Sequence, residues 1–232
     1  MTENPIIVAL DFESAGEAFT LVDRLGDRVS VYKVGMELYA AAGMEAAREL
    51  RARGKDVFLD MKFYDIGETV RRAVCQVARA DLQFLTIHGS APVLRAAVEG
   101  RGASNLKLLA VTVLTSYDQQ DIEDLGYPCE LPALVDLRVR RAMDAGVDGI
   151  VASPLDARRI RNTAGTGPLL ITPGVRSAGN AAGDQKRVAT PSEALRDGAD
   201  YVVMGRQITR ASDPPGEVAR VLDEIAASRT AT

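Results

Sequence analysis

Short apolar runs rich in β-branched residues recur along the chain at positions 6–10, 29–34, 57–61, 84–87, 108–113, 149–152, 169–172 and 201–204. Each reads as a strand, and because the runs are nearly continuous rather than alternating with polar residues, each is predicted to be covered on both faces. Between them lie stretches with helical spacing, rich in Ala, Leu, Arg and Glu, at 15–25, 43–53, 69–80, 91–100, 132–145 and 192–197. Eight strand-then-helix units close most simply into a parallel α/β barrel. The sequence therefore predicts a single-domain (β/α)8 TIM barrel over residues 1–232, with a frayed tail at 228–232. An open doubly wound sheet is the competing arrangement. Eight units fit the length, however, and no G-x-G-x-x-G follows the first run.

In such a barrel the chemistry lies at the C-terminal ends of the strands. Those positions hold Asp11 after the first strand, Lys33 in the second, Asp60 and Lys62 at the third, His88 after the fourth, and Thr115 and Ser116 after the fifth. The seventh runs into Thr172-Pro173-Gly174-Val175-Arg176 and the eighth into Gly205-Arg206. A lone acid or lysine at a strand end is commonly a cap or a solvated charge; their joint placement on one rim is harder to explain that way. His88 can equally hydrogen-bond a neighbouring loop and stays outside the catalytic set.

The densest of these segments is Asp60-Met61-Lys62-Phe63-Tyr64-Asp65, which follows the apolar Val57-Phe58-Leu59. Strand periodicity puts Asp60 and Lys62 on one face, with Asp65 beyond the strand end, so an ammonium is expected between carboxylates. A structural ion pair is the plain alternative, but burying one costs desolvation that is often not recovered, and function is the better reason to keep it. Arg206 lies where barrels bind phosphate, at the seventh and eighth loops, which predicts a phosphorylated substrate. Residues 174–185, small and interrupted by glycines, read as a lid carrying Arg176 and Gln185.

Composition narrows the partners. The net charge is −4 and no basic cluster with interleaved aromatics is present, which argues against nucleic acid. No apolar stretch approaches the ~20 residues that cross a bilayer, so no membrane role is expected. Cys75 and Cys129 form no C-x-x-C pair, and the first residues lack a signal pattern, so reduced thiols in the cytoplasm are expected. His88 is the single histidine, which excludes a histidine-rich metal site.

Over nearly its whole length the chain resembles the bacterial orotidine 5'-phosphate decarboxylase family, whose barrel is of the ribulose-phosphate-binding type. The resemblance rests on Val8-Ala9-Leu10-Asp11, Tyr32-Lys33-Val34-Gly35, Asp60-Met61-Lys62-Phe63-Tyr64-Asp65-Ile66, Val113-Leu114-Thr115-Ser116, Thr172-Pro173-Gly174-Val175-Arg176, Gly183-Asp184-Gln185 and Met204-Gly205-Arg206. It implies a decarboxylase making uridine 5'-monophosphate, the last step of pyrimidine nucleotide synthesis. Lys33, Asp60, Lys62 and Asp65 would form the charged array, with Lys62 the proton donor. Asp11 and Thr69 would hold the ribose, Thr115 the pyrimidine edge, and Gln185 a bridge between base and phosphate. Arg176, Gly205 and Arg206 would lie on the phosphate side. The resemblance further implies a homodimer, with Asp65 and Thr69 reaching the neighbouring subunit's site, and neither cofactor nor metal. Met61, Tyr64, Gly67 and Glu68 depart from the family's commonest central motif, all outside the array, and Gly67 in place of proline should loosen the loop after Asp65.

The chemistry suits these groups. Loss of CO2 from the pyrimidine C6 leaves a carbanion-like centre, and a fixed cation beside it stabilises charge that grows only as the bond breaks. Carboxylate neighbours keep a lysine charged, which favours proton donation over Schiff-base formation. The nearest rival is a magnesium-dependent decarboxylase or aldolase of 3-keto-hexulose phosphates that shares D-x-K-x-x-D. Lys33, an ammonium where that group has an acidic metal ligand, argues against it. A phosphate-ligand sensor on an inactive barrel is the non-enzymatic alternative, and it would have no use for Lys62.

Overall fold

Eight parallel strands pair in chain order and the eighth returns to the first, closing a barrel. This computed structural model describes residues 4–179 and 186–230. The strands are β1 (Ile6–Ala9), β2 (Val31–Val34), β3 (Asp56–Phe63), β4 (Phe84–His88), β5 (Lys107–Val111), β6 (Gly149–Val151), β7 (Leu169–Thr172) and β8 (Tyr201–Met204). All eight coincide with the predicted apolar runs, with ends displaced by a residue or two; the open sheet is excluded.

The helices are α1 (Ala15–Leu25), α2 (Met36–Ala52), α3 (Gly67–Ala78), α4 (Ala91–Arg101), α5 (Gln119–Asp124), α6 (Leu131–Ala145), α7 (Ala157–Ala164), α8 (Pro191–Arg196), α9 (Arg206–Thr209) and α10 (Pro214–Thr230). α1 matches its prediction because its signals are complete. Ser14 accepts from the Glu17 N–H as N-cap, Leu21, Val22 and Leu25 form the buried stripe, and Gly26 ends the helix at φ 53. α2 starts earlier than predicted: Gly43, read as a beginning, is a break inside it at φ 61. α5, α7, α9 and α10 had no sequence prediction. The predicted frayed tail is corrected in part: α10 runs as helix through Thr230, anchored by buried Val218, Val221 and Ile225.

Side chains alternate across the barrel wall. Ile7, Ala9, Val31, Phe58, Phe84, Leu109, Val111, Val151, Ile171 and Val203 pack together in the interior, with Leu169 and Tyr201 against them. Phe84 sits edge-on to both Phe58 (centroids 5.9 Å apart) and Tyr201 (5.7 Å). The intervening residues, such as Val8, Tyr32, Leu59 and Leu85, join the helices in the larger outer core. Two residues above the interior apolar layer come Asp11 on the β1 side, Lys33 on β2, Asp60 on β3 and Thr86 on β4. The filled barrel is thus capped by polar groups at its C-terminal mouth.

Candidate active site

A cavity of about 440 Å3 opens at that mouth. Its floor is the interior layer itself, through Ala9, Phe58, Val111, Val151 and Val203. Its walls include Asp11, Lys33, Asp60, Lys62, Thr115, Arg176, Gly205 and Arg206, so eight of the eleven residues predicted for the site meet around one space.

The charges form a chain. Lys33 Nζ donates to Asp11 Oδ1 at 3.0 Å and lies 3.7 Å from Asp60 Oδ2; Lys62 Nζ donates to Asp60 Oδ1 at 2.8 Å. The Asp60 side chain is only 14% exposed. Its burial would raise the carboxyl pKa, but Lys33, Lys62 and hydrogen bonds from Lys62 and Thr86 outweigh that and hold it below the usual carboxylate value. Gly35 leaves room for this pair: a Cβ at that position would lie 2.8 Å from Lys33 Nζ and 3.1 Å from Asp11 Oδ1.

β3 reaches this arrangement through a bulge. Leu59 pairs with Leu85 and Phe63 with Ile87, so Asp60, Met61 and Lys62 stand opposite Thr86 alone. The excess is two residues, an even number, and the alternation of faces survives it. Met61 and Phe63 pack on the outer core while Asp60 and Lys62 face the cavity, as predicted. Lys62 absorbs the extra length at φ 48, a left-handed conformation that costs a non-glycine residue about 1–2 kcal/mol. Its N–H finds no regular ladder partner and donates instead to Thr86 Oγ1 at 2.8 Å. Thr86 was not among the predicted site residues, because a threonine inside an apolar run reads as an ordinary strand former. The signal that finds it is position, two residues beyond inward-facing Phe84, as Asp60 is beyond Phe58.

Two of the predicted residues lie elsewhere, and a third is not described. Asp65 does not bracket Lys62 within the chain: the strand ends at Phe63, the backbone turns outward, and the exposed Asp65 carboxylate accepts from the Ile66 N–H at 2.6 Å. Thr69 is exposed on α3 and does not line the cavity. Gln185 lies outside the described residues, as do 180–184 of the predicted lid. Glu68 belongs to the helix surface, paired with Arg71 at 2.8 Å and Arg72 at 3.3 Å.

The described base of the seventh loop is well anchored. Arg176 enters the cavity from beyond β7, which stands diametrically across the ring from β3, and its buried Nε has no hydrogen-bond partner among the described residues. On the returning side, Arg187 and Arg159 both pair with buried Asp156, Arg159 at 2.8 Å. Lys186 bridges Asp118 at 2.7 Å and Asp121 at 2.9 Å, tying this segment to α5, which follows the loop of Thr115. His88 is neither donor nor acceptor through Nδ1 to any described residue; its ring packs against Tyr64 at a tilt of 42°, centroids 4.3 Å apart. Burial first, and then Arg138, lower its pKa, which favours the neutral ring.

Comparison with known proteins places this geometry among relatives. The profile of the family described as orotidine 5'-phosphate decarboxylase / HUMPS matches residues 4–221. An orotidine 5'-phosphate decarboxylase of Nitrobacter winogradskyi is 50% identical over 226 residues, covering 97% of this chain and 94% of the relative. Another, from a Caulobacter species, is 47% identical over 227 residues, covering 97% and 99%. The crystal structure of orotidine 5'-phosphate decarboxylase from Lactobacillus acidophilus superposes with a TM-score of 0.84 at 32% identity, covering 96% of this chain and 99% of that one.

Proposed function

The chain belongs to the orotidine 5'-phosphate decarboxylase / HUMPS family, and from that membership we propose that it converts orotidine 5'-monophosphate to uridine 5'-monophosphate and CO2, with Lys62 as proton donor. The observation that carries the residue assignment is the unbroken line Asp11, Lys33, Asp60, Lys62 along one wall of the cavity.

In the reaction the bond from C6 to the carboxylate carbon breaks, CO2 departs, and the electron pair stays on C6. The Lys62 ammonium stabilises that pair and then transfers its proton to it. Asp60, held ionised, orients the Lys62 amine, and Lys33 neutralises Asp60 and Asp11 in turn. Asp11 and Thr69 hold the ribose and Thr115 the pyrimidine edge. Arg176, Arg206, the Gly205 backbone and Gln185 take the phosphate side. Phosphate contacts remote from C6 supply binding energy that orients the ring, so they serve rate as well as affinity.

The active unit is a homodimer in which Asp65 and Thr69 complete the neighbour's site. Supporting this are exposed apolar side chains just beyond β2 and β3, Met36, Tyr64 and Ile66, which are 56%, 67% and 72% exposed and which a second copy would cover. A cytoplasmic setting accords with free Cys75 and Cys129; among the described residues, no helix is long and apolar enough to cross a membrane. The magnesium-dependent reading is disfavoured, since Lys33 puts an ammonium between the two carboxylates that a cation would need.

The test follows the ultraviolet change of orotidine 5'-monophosphate with purified protein in EDTA, beside Lys62→Ala. Turnover in chelator that disappears in the variant is expected. Turnover retained by Lys62→Ala would overturn the donor assignment, and turnover lost on chelation would restore the metal-dependent rival.

A further inference from the structure

Thr86 is fully buried at the foot of the bulge and touches both functional ends of it. Its hydroxyl accepts from the Lys62 N–H at 2.8 Å and donates to Asp60 Oδ1 at 3.0 Å, the same oxygen that receives Lys62 Nζ at 2.8 Å. A hydroxyl has one proton to give and lone pairs to receive with, so both capacities of this one are used in a fixed direction. The result is a closed circuit: Lys62 backbone to Thr86, Thr86 to Asp60, Asp60 to the Lys62 amine. The bulge removes the ladder partner that would otherwise fix residue 62, and a left-handed backbone at a lysine persists only where its surroundings impose it. Met61 and Phe63 hold the bulge from the outer side by packing, and Thr86 is the polar contact on the inner side.

We propose that Thr86 is a positioning residue for the proton donor, its hydroxyl locking the Lys62 backbone and the Asp60 carboxylate into one rigid unit that aims the Lys62 amine at the reacting carbon. The inference rests on the assignment of Lys62 as donor. Thr86 does not line the cavity, and it acts through its two neighbours. A substrate bound by its phosphate, ribose and base would therefore be held as before when the hydroxyl is lost, while proton delivery and charge stabilisation would not.

The experiment compares Thr86→Val, which keeps the branched shape and removes the hydroxyl, with Thr86→Ser, which keeps the hydroxyl, and with Thr86→Ala. Lys62→Ala is measured alongside. For Thr86→Val, kcat is expected to fall roughly 10- to 100-fold with KM changed less than about threefold, because misplacing a catalytic group by an ångström costs on this scale. Thr86→Ser is expected to stay within about threefold of the wild type. If Thr86→Val does not fold, the contrast between Ala and Ser, each checked by thermal unfolding, carries the same information. Equal kcat for the hydroxyl-bearing and hydroxyl-free variants, or a loss confined to KM, overturns the inference. Activity retained by Lys62→Ala removes the donor assignment itself. An inactive Lys62→Ala beside an unimpaired Thr86→Val removes only the role of Thr86.

Discussion

The ammonium of Lys33 lies 3.0 Å from the carboxylate of Asp11, joining β2 to the end of β1 at the barrel mouth, and the same nitrogen stands 3.7 Å from Asp60. One cation therefore stands against two acids from different strands.

Lys33→Met leaves Asp11 without its ion-pair partner and Asp60 with Lys62 alone. A fall in kcat/KM of roughly 10²- to 10³-fold is expected, the scale for losing one preorganised charge-stabilising group. The pH dependence carries the sharper signature. Burial raises the Asp60 carboxyl, and Lys33 is the first of the groups that overcome it and pull it below its ordinary value. A carboxyl lowered in the folded state binds fewer protons there than in the unfolded chain. The stability it contributes is complete above the ordinary carboxylate range and drains away as pH falls through the folded value. In Lys33→Met both this loss and the acidic limb of kcat/KM should move to higher pH. Unchanged limbs in rate and unfolding measurements would contradict the pairing.

Gly35→Ala tests the same pair from the backbone. The added Cβ would crowd Lys33 Nζ at 2.8 Å, and the far end of a lysine can yield without disturbing the fold. Activity is expected to drop about tenfold or more, while the unfolding temperature changes little.

Arg206→Ala removes a cavity-lining guanidinium proposed to contact the phosphate. A charge-assisted hydrogen bond is worth about 1.5–3 kcal/mol, so kcat/KM should fall roughly 10- to 100-fold, against the phosphorylated substrate and far less against its nucleoside. A near-normal value with the phosphate present would refute the assignment.

The buried Asp156 tests how the seventh loop is held. Asp156→Ala strands Arg187, whose side chain is only 12% exposed, and should destabilise the fold by about 3–5 kcal/mol in denaturant unfolding. Loosening the loop's returning segment should also raise KM.

Mixing Lys62→Ala with Asp65→Ala tests the shared site. Subunit exchange should restore some activity, because one of the two sites in a hybrid dimer receives both intact groups. No recovery after demonstrated exchange would count against Asp65 crossing the interface.

Much of this was written plainly in the chain. Barrel strands are covered on both faces, so residues 169–172 and 201–204 are marked by their apolar runs alone, and their ends were found to the residue. The gathering of Asp11, Lys33, Asp60 and Lys62 followed from strand ends sharing one rim. What stayed hidden depended on pairing with a neighbour strand. The bulge is a mismatch of length between β3 and β4, and neither strand announces it alone. Asp65 was expected beside Lys62 because nearness in sequence was taken for nearness in space, whereas the turn before Gly67 carries it outward. α10 was missed because its apolar positions, Val218, Val221 and Ile225, are sparse among charges.

Phe58 and Val111 belong both to the packed barrel interior and to the cavity's floor. Trimming either to admit a bulkier ring would excavate the fold's own foundation, at the cost of about 3–5 kcal/mol for a phenylalanine. Room for a new substrate is more cheaply found at the rim, in the loops, where residues can change shape without undermining what stands beneath them.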